Sequence, residues 1–142
     1  MKIGIVIAVV RELKSFLESD YEVKIEKVNN KDIYLTKINN NSIYAVQSGM
    51  GKIDAASATQ LLITKYDCDM IINYGVTGAL DKSLKVEDLF VVEKTCNYDL
   101  DTTDIDPVKK HQYGDQKDEY IYLDENLIKQ IKKVDNNLIN SL

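Results

Sequence analysis

Apolar and polar positions follow two rhythms along this chain, and each change of rhythm marks an element. Ile3 to Val10 is an unbroken apolar run rich in β-branched residues, the mark of a strand covered on both faces. Arg11 to Glu18 carries Leu13, Phe16 and Leu17 at helical spacing and predicts a short helix. Glu22–Val28, Asp32–Ile38 and Ser42–Ser48 then alternate, as in Val23/Ile25 and Ile33/Leu35. Their connections are Asn29-Asn30-Lys31 and Asn39-Asn40-Asn41, and Asn tolerates the left-handed backbone that hairpin turns require. An antiparallel meander is predicted. Lys52 to Tyr66 predicts a helix with Ile53, Ala56, Gln60 and Ile63 on one face and Ala55, Ala58, Thr59 and Leu62 widening the buried stripe. Asp69–Tyr74 and Asp88–Glu93 read as further buried strands, the first paired in parallel with Ile3–Val10. Asn97 to Glu119 is polar, aperiodic and holds the only proline, Pro107, so it predicts a long loop. Asp124 is placed to cap a last helix from Glu125 to about Val134. The tail, residues 135–142, shows no evident cap or partner. This order of elements indicates an α/β domain with a mixed sheet.

Composition narrows the function classes. At 142 residues the chain is about one domain, and the reading adopted is a single domain over residues 1–142. Net charge is −5, which argues against nucleic acid as the main partner, because phosphate binding needs clustered Lys and Arg. No apolar run approaches the ~20 residues of a membrane span. The first ten residues pass into charged Arg11-Glu12 with no small-residue cleavage site, so a buried strand is expected there and not a signal peptide. Cys68 and Cys96 make neither a CxxC motif nor a disulfide framework. Reduced thiols and a cytoplasmic location are the expectation.

Chemistry concentrates after the strands. Ser48-Gly49-Met50-Gly51-Lys52 and Asn73-Tyr74-Gly75-Val76-Thr77-Gly78-Ala79-Leu80 each follow an apolar run. Ligands of open α/β sheets bind outside the carboxyl ends of strands, and glycine lets a ligand approach bare backbone. Neither segment is a Rossmann fingerprint, since the spacing is wrong. The first is either a phosphate cradle at a helix start, or a turn presenting the apolar Met50 to a ligand, or a plain strand-to-helix turn. Glu12, directly after the first strand, stands where a general base would stand; a solvated helix-start Glu has the same spacing. Asp99, Asp101, Asp104 and Asp106 are spaced like a calcium loop but lack its Gly and terminal Glu. His111 is the only histidine, so no His/Cys metal set is expected.

Taken in register, these residues resemble the N-terminal part of the 5′-methylthioadenosine/S-adenosylhomocysteine nucleosidases, within the nucleoside phosphorylase superfamily. Met1-Lys2-Ile3-Gly4-Ile5 with Ala8 and Glu12 matches the family start. Ser48-Gly49-Met50-Gly51-Lys52 is similar to its Ser-Gly-Ile-Gly-Lys turn, and Ile71 to Leu80 to its Asn-Thr-Gly-Ser-Ala-Gly-Gly-Leu segment. Leu84-Lys85-Val86-Glu87-Asp88 matches Leu-Lys-Val-Gly-Asp, and Tyr98 with Asp101 and Thr103 looks like the Tyr-His-Asp-x-Asp-x-Thr region.

The resemblance implies a three-layer αβα sandwich around a mixed sheet, usually a homodimer. It implies cofactor-free hydrolysis of the N-glycosidic bond of a 5′-thio-substituted adenosine, of the kind used in methionine salvage. Glu12 would orient and deprotonate the attacking water, and its charge would stabilise an oxocarbenium-like transition state. Ala8 and Val9 would line the pocket, Met50 would lie near the apolar 5′ substituent, and Val76, Thr77 and Gly78 would flank ribose and base. The sequence departs from the family at Val76, where a hydroxyl residue is usual, and at Ala79 and Glu87, where Gly is usual. The family also continues into a stretch with a purine-stacking aromatic, a ribose-binding Met-Glu pair and an Asp that protonates the leaving base. No Met-Glu pair occurs here. The expectation is therefore a C-terminally truncated portion of the fold, with doubtful activity alone. Two alternatives remain open. One is a nucleoside phosphorylase, disfavoured because Arg11 is the only arginine and no Gly-Asp-Pro segment occurs. The other is a non-catalytic half-fold.

Overall fold

A computed structural model describes residues 1–134 and 139–140 of the chain. Most of the expected tail, residues 135–138 and 141–142, lies outside the described residues. The chain divides into two compact units, Met1–Gly78 and Ala79–Leu142.

The first unit is built on a five-stranded mixed sheet. Its elements are β1 (Lys2–Ile7), α1 (Val10–Leu17), β2 (Lys24–Val28), β3 (Lys31–Ile38), β4 (Asn41–Gln47), α2 (Lys52–Tyr66) and β5 (Met70–Tyr74), and the strand order is β2-β3-β4-β1-β5. The meander β2-β3-β4 is antiparallel, with Val28 opposite Lys31 and Ile38 opposite Asn41. Each of its two-residue turns opens with an asparagine in the left-handed region, Asn29 at φ 54° and Asn39 at φ 53°, as their side-chain chemistry allows. β1 pairs in parallel with both β4 and β5.

Alternation along the strands feeds two cores. Val6, Ile33 and Val46 pack with Ala58, Leu62 and Tyr66 of α2. Ile7, Tyr34 and Ala45 pack with Leu13 of α1, flanked by Phe16. Successive side chains of a strand point to opposite faces, so α1 and α2 cover opposite faces and the unit has three layers, αβα.

Two expectations about burial are corrected. The outward face of α2 is the one that carries Ile53 and Ile63, which are 87% and 46% exposed, whereas Ala58, Leu62 and Tyr66 face the sheet. Apolar residues occur all round this helix, so periodicity alone does not fix its phase. β5 was expected to be covered on both faces like β1. It is instead an edge of the five-stranded sheet, with Ile71 packed under α2 and Ile72 and Tyr74 only half covered.

In the second unit β6 (Phe90–Val91) pairs in parallel with β9 (Ile139–Asn140), and β7 (Lys94–Cys96) pairs antiparallel with β8 (Tyr120–Tyr122). The expected strand Asp88–Glu93 is thus only two residues long, and β7, β8 and β9 had no counterpart in the sequence pattern; the tail, read as without a partner, supplies β9. The Lys94 ammonium lies 4.0 Å from the centre of the Tyr120 ring. Helix α3 (Glu125–Val134) starts as expected, with the Asp124 carboxylate accepting the Leu127 N–H at 2.9 Å. No helix among the described residues is long and apolar enough to cross a membrane.

The phase of α2 is testable. Leu62 is fully buried between α2 and the sheet, so Leu62→Ala should cost about 2–5 kcal/mol in urea unfolding. Gln60→Ala on the exposed side should stay within about 0.5 kcal/mol of the parent.

Candidate active site

Parallel pairing places the carboxyl ends of β1, β4 and β5 at one edge of the first unit. Ile7 stands beside Gln47 on one side and Tyr74 on the other. The segments that leave those ends are therefore neighbours: Ala8 to Glu12, Ser48 to Gly51, and Gly75 to Gly78. The sequence-predicted residues Ala8, Val9, Glu12, Met50, Val76, Thr77 and Gly78 all lie in them.

Glu12 is the centre of the arrangement. Val9 is the N-cap of α1 and Glu12 its third residue. From there the Glu12 carboxylate turns back, and Oε2 accepts the Val9 N–H at 3.2 Å. This is the carboxylate half of a capping box, since a Val side chain offers nothing in return. Oε1 accepts the Val76 N–H at 2.9 Å, across 64 positions of sequence. One carboxylate thus ties the exit of β1 to the exit of β5. Contact is close enough that a side chain at position 75 would displace the Glu12 carboxylate. A Cβ there would lie 2.6 Å from Glu12 Oε1, well inside contact distance.

The middle segment is held separately. The Ser48 N–H donates to the Ile7 carbonyl at 2.8 Å. The buried Ser48 hydroxyl lies 2.8 Å from the Gly49 carbonyl and 3.3 Å from that of Ile7. Gly49 and Gly51 take φ of 97° and 101°, a region that side chains disfavour. Between them Met50 projects outward, 78% exposed. Gly51 is the N-cap of α2.

The three segments converge, but not all of their side chains do equal work. Val76 contributes its backbone N–H, while its side chain is 88% exposed. Ala8 and Val9 are half-buried beside Glu12, and Thr77 and Gly78 are exposed. Sequence reasoning missed Gly75 as a contact and missed the Lys31 ammonium, which donates to the Ser48 carbonyl at 2.8 Å. No local signal marks either one, because both depend on pairing between distant segments.

The acidic segment of the second unit is accounted for locally. Hydrogen bonds from the Thr103 hydroxyl and N–H, and then the Lys110 ammonium, hold the Asp101 carboxyl below its ordinary pKa. Among the described residues no group of three or more His, Cys, Asp or Glu could hold a metal ion.

A family model described as "Phosphorylase superfamily" matches residues 2–140. The 5′-methylthioadenosine/S-adenosylhomocysteine nucleosidase of Buchnera aphidicola subsp. Schizaphis graminum is 38% identical over 103 residues, covering 72% of this chain and 44% of that protein. The enzyme of the same name from Glaesserella parasuis is 39% identical over 103 residues, 72% of this chain and 45% of its own length. Among solved structures, the S-adenosylhomocysteine nucleosidase of Streptococcus pyogenes in complex with 5-methylthiotubericidin superposes with a TM-score of 0.86 at 28% identity, over 99% of this chain and 60% of that one. The S. pneumoniae nucleosidase with a transition-state inhibitor gives 0.88 at 26% identity, over 99% and 62%. The matched stretch is therefore under half the length of the curated relatives, and the chain spans about three-fifths of the solved ones.

Gly75→Ala should push the Glu12 carboxylate off the Val76 N–H. Amide hydrogen exchange at Val76 should then speed up about tenfold, the scale of one charge-assisted hydrogen bond, and approach the rate in Glu12→Ala. Unchanged exchange would mean that the carboxylate does not hold this amide.

Proposed function

This chain belongs to the phosphorylase superfamily, and from that premise we propose that it carries the water-activating part of a nucleosidase site. The reaction is hydrolysis of the N-glycosidic bond of a 5′-thio-substituted adenosine, with release of adenine. The observation that carries the reading is the Glu12 carboxylate held by two backbone amides at the common edge of three parallel strands. The names of the relatives supply the substrate class.

In this reading the bond from the anomeric carbon to adenine breaks as water attacks, and the Glu12 carboxylate, still ionised while that bond loosens, stabilises the positive character that develops on the ribose. Glu12 then takes the proton of the attacking water, and a separate general acid protonates the departing adenine. Ala8 and Val9 form the wall beside it. Met50 packs on the apolar 5′ substituent, and Val76, Thr77 and Gly78 pass along ribose and base. No cofactor is required. Both units are read as portions of one nucleoside phosphorylase-like domain, an interpretation supported by the family match over residues 2–140. The reading also includes a cytoplasmic location and a homodimer. The outward stripe of α2, with Ile53 and Ile63 exposed and Met50 just before it, supports a second copy as what covers this face.

The catalytic assignment is tested in the protein carrying this sequence at full length. Glu12→Gln keeps the shape of the side chain and should leave folding nearly unchanged. It should lower adenine release from methylthioadenosine by roughly 100-fold or more, the scale of a lost general base. Turnover within a few-fold of the parent would remove Glu12 from this role. For the homodimer, Ile53→Glu should shift the sedimentation coefficient to that of a monomer; an unaltered dimer would direct attention to another face.

A further inference from the structure

The turn that presents Met50 is anchored at Ser48, and beyond that residue it runs through glycine. It contains two glycines at positive φ, and such residues have the widest conformational freedom in a chain. The ladder between β3 and β4 stops short of it, at Ile33 opposite Val46. Two residues further along each strand, the same register sets Lys31 opposite Ser48. The Ser48 carbonyl there has left the β3–β4 ladder and needs another donor, because backbone carbonyls at the margin of a core are seldom left unpaired. The Lys31 ammonium supplies one at 2.8 Å. Meanwhile the Ser48 N–H is committed to the Ile7 carbonyl, so Ser48 is pinned from both sides: to β1 through its amide and to the β2–β3 hairpin through its carbonyl.

We propose that Lys31 is a positioning residue of the site. Its ammonium fixes the Ser48 carbonyl, and through it the Ser48–Gly51 turn, the direction of Met50 and the start of α2. Lys31 touches no reacting atom in this scheme. It acts by removing alternative conformations of a glycine-rich turn, so that Met50 is ordered before a ligand arrives, which saves that ordering cost on binding. A hydrogen bond from an ammonium is stronger than a neutral one, and this one is partly shielded from water.

The test uses the 142-residue chain in three forms: parent, Lys31→Met, which keeps the apolar stem without the charge, and Lys31→Arg, which restores a cationic donor. Amide hydrogen exchange is followed at Ser48 and Ala55, whose N–H groups are bonded to Ile7 and Gly51 on either side of the turn, and at Val46 in the core as reference. Lys31→Met should speed exchange at Ser48 and Ala55 by about tenfold, the scale of one lost charge-assisted bond, with Val46 slowed or hastened far less. Lys31→Arg should restore most of the protection. Unchanged exchange at Ser48 in Lys31→Met overturns the proposal. So does acceleration of Val46 by the same factor, which would assign Lys31 to global stability alone. The consequence for a bound nucleoside rests on the function proposed above and has its own arm. Calorimetric titration of the protein carrying this sequence at full length with 5′-methylthioadenosine should show affinity about three- to tenfold weaker in Lys31→Met and recovered in Lys31→Arg. A parent at full length that binds no methylthioadenosine counts against the nucleosidase reading, while the exchange data still decide whether Lys31 holds the turn.

Discussion

The first unit depends on one constraint, the parallel pairing of β1 on both of its sides. An antiparallel neighbour would bring a strand start, not a strand end, to the place where Ala8 leaves the sheet. With β4 and β5 both parallel to β1, three chain segments emerge side by side in one direction. Parallel neighbours need crossover connections, and α2 is that connection between β4 and β5. The same pairing therefore explains why the helix lies on one face and why the site forms at one edge.

Much of this was legible in the sequence, for identifiable reasons. From Ile3 to Ile7 β1 is apolar and, apart from Gly4, β-branched, so its place within the sheet could be read directly. The asparagine pairs predicted the turns of the meander because Asn29 and Asn39 do adopt positive φ. The bounds of α2 were readable from its flanking glycine and its composition. Its orientation was not: with Ile53 and Ile63 on one side and Leu61 and Leu62 on another, the helix offers more than one apolar face. The choice is made by the close fit of Ala58, Leu62 and Tyr66 over Val6 and Val46, which is tertiary information. β8 escaped because three residues beside a polar stretch carry no period. Its strand character comes from pairing with β7.

The site shows the same division. Glu12 could be singled out because it follows a buried strand, and the two glycine segments because they follow others. What the sequence could not reveal was how they connect. The bond from Val76 to Glu12 spans 64 positions and that from Lys31 to Ser48 spans 17. Both join residues that become neighbours only through the register of the sheet. Gly75 illustrates the point most sharply. In the sequence it is one glycine of a turn, whereas in the structure a Cβ at that position would collide with the carboxylate.

A fixed carboxylate can still be reactive because of how few of its acceptor sites are used. An ionised Glu has two oxygens with about four lone-pair directions. The Val9 and Val76 amides occupy one on each oxygen. Those two bonds are enough to fix the plane of the group, since they meet it at both oxygens and from different segments. The remaining lone pairs are free to accept from a water molecule. The donors are backbone amides that carry no net charge and cannot transfer away their protons, so they orient the group without neutralising it. A lysine or arginine in their place would hold Glu12 as firmly but would compete with water for its charge. Orientation of Glu12 by uncharged backbone, with the Lys31 ammonium set on the Ser48 carbonyl instead, separates the group that would do chemistry from the group that holds the frame.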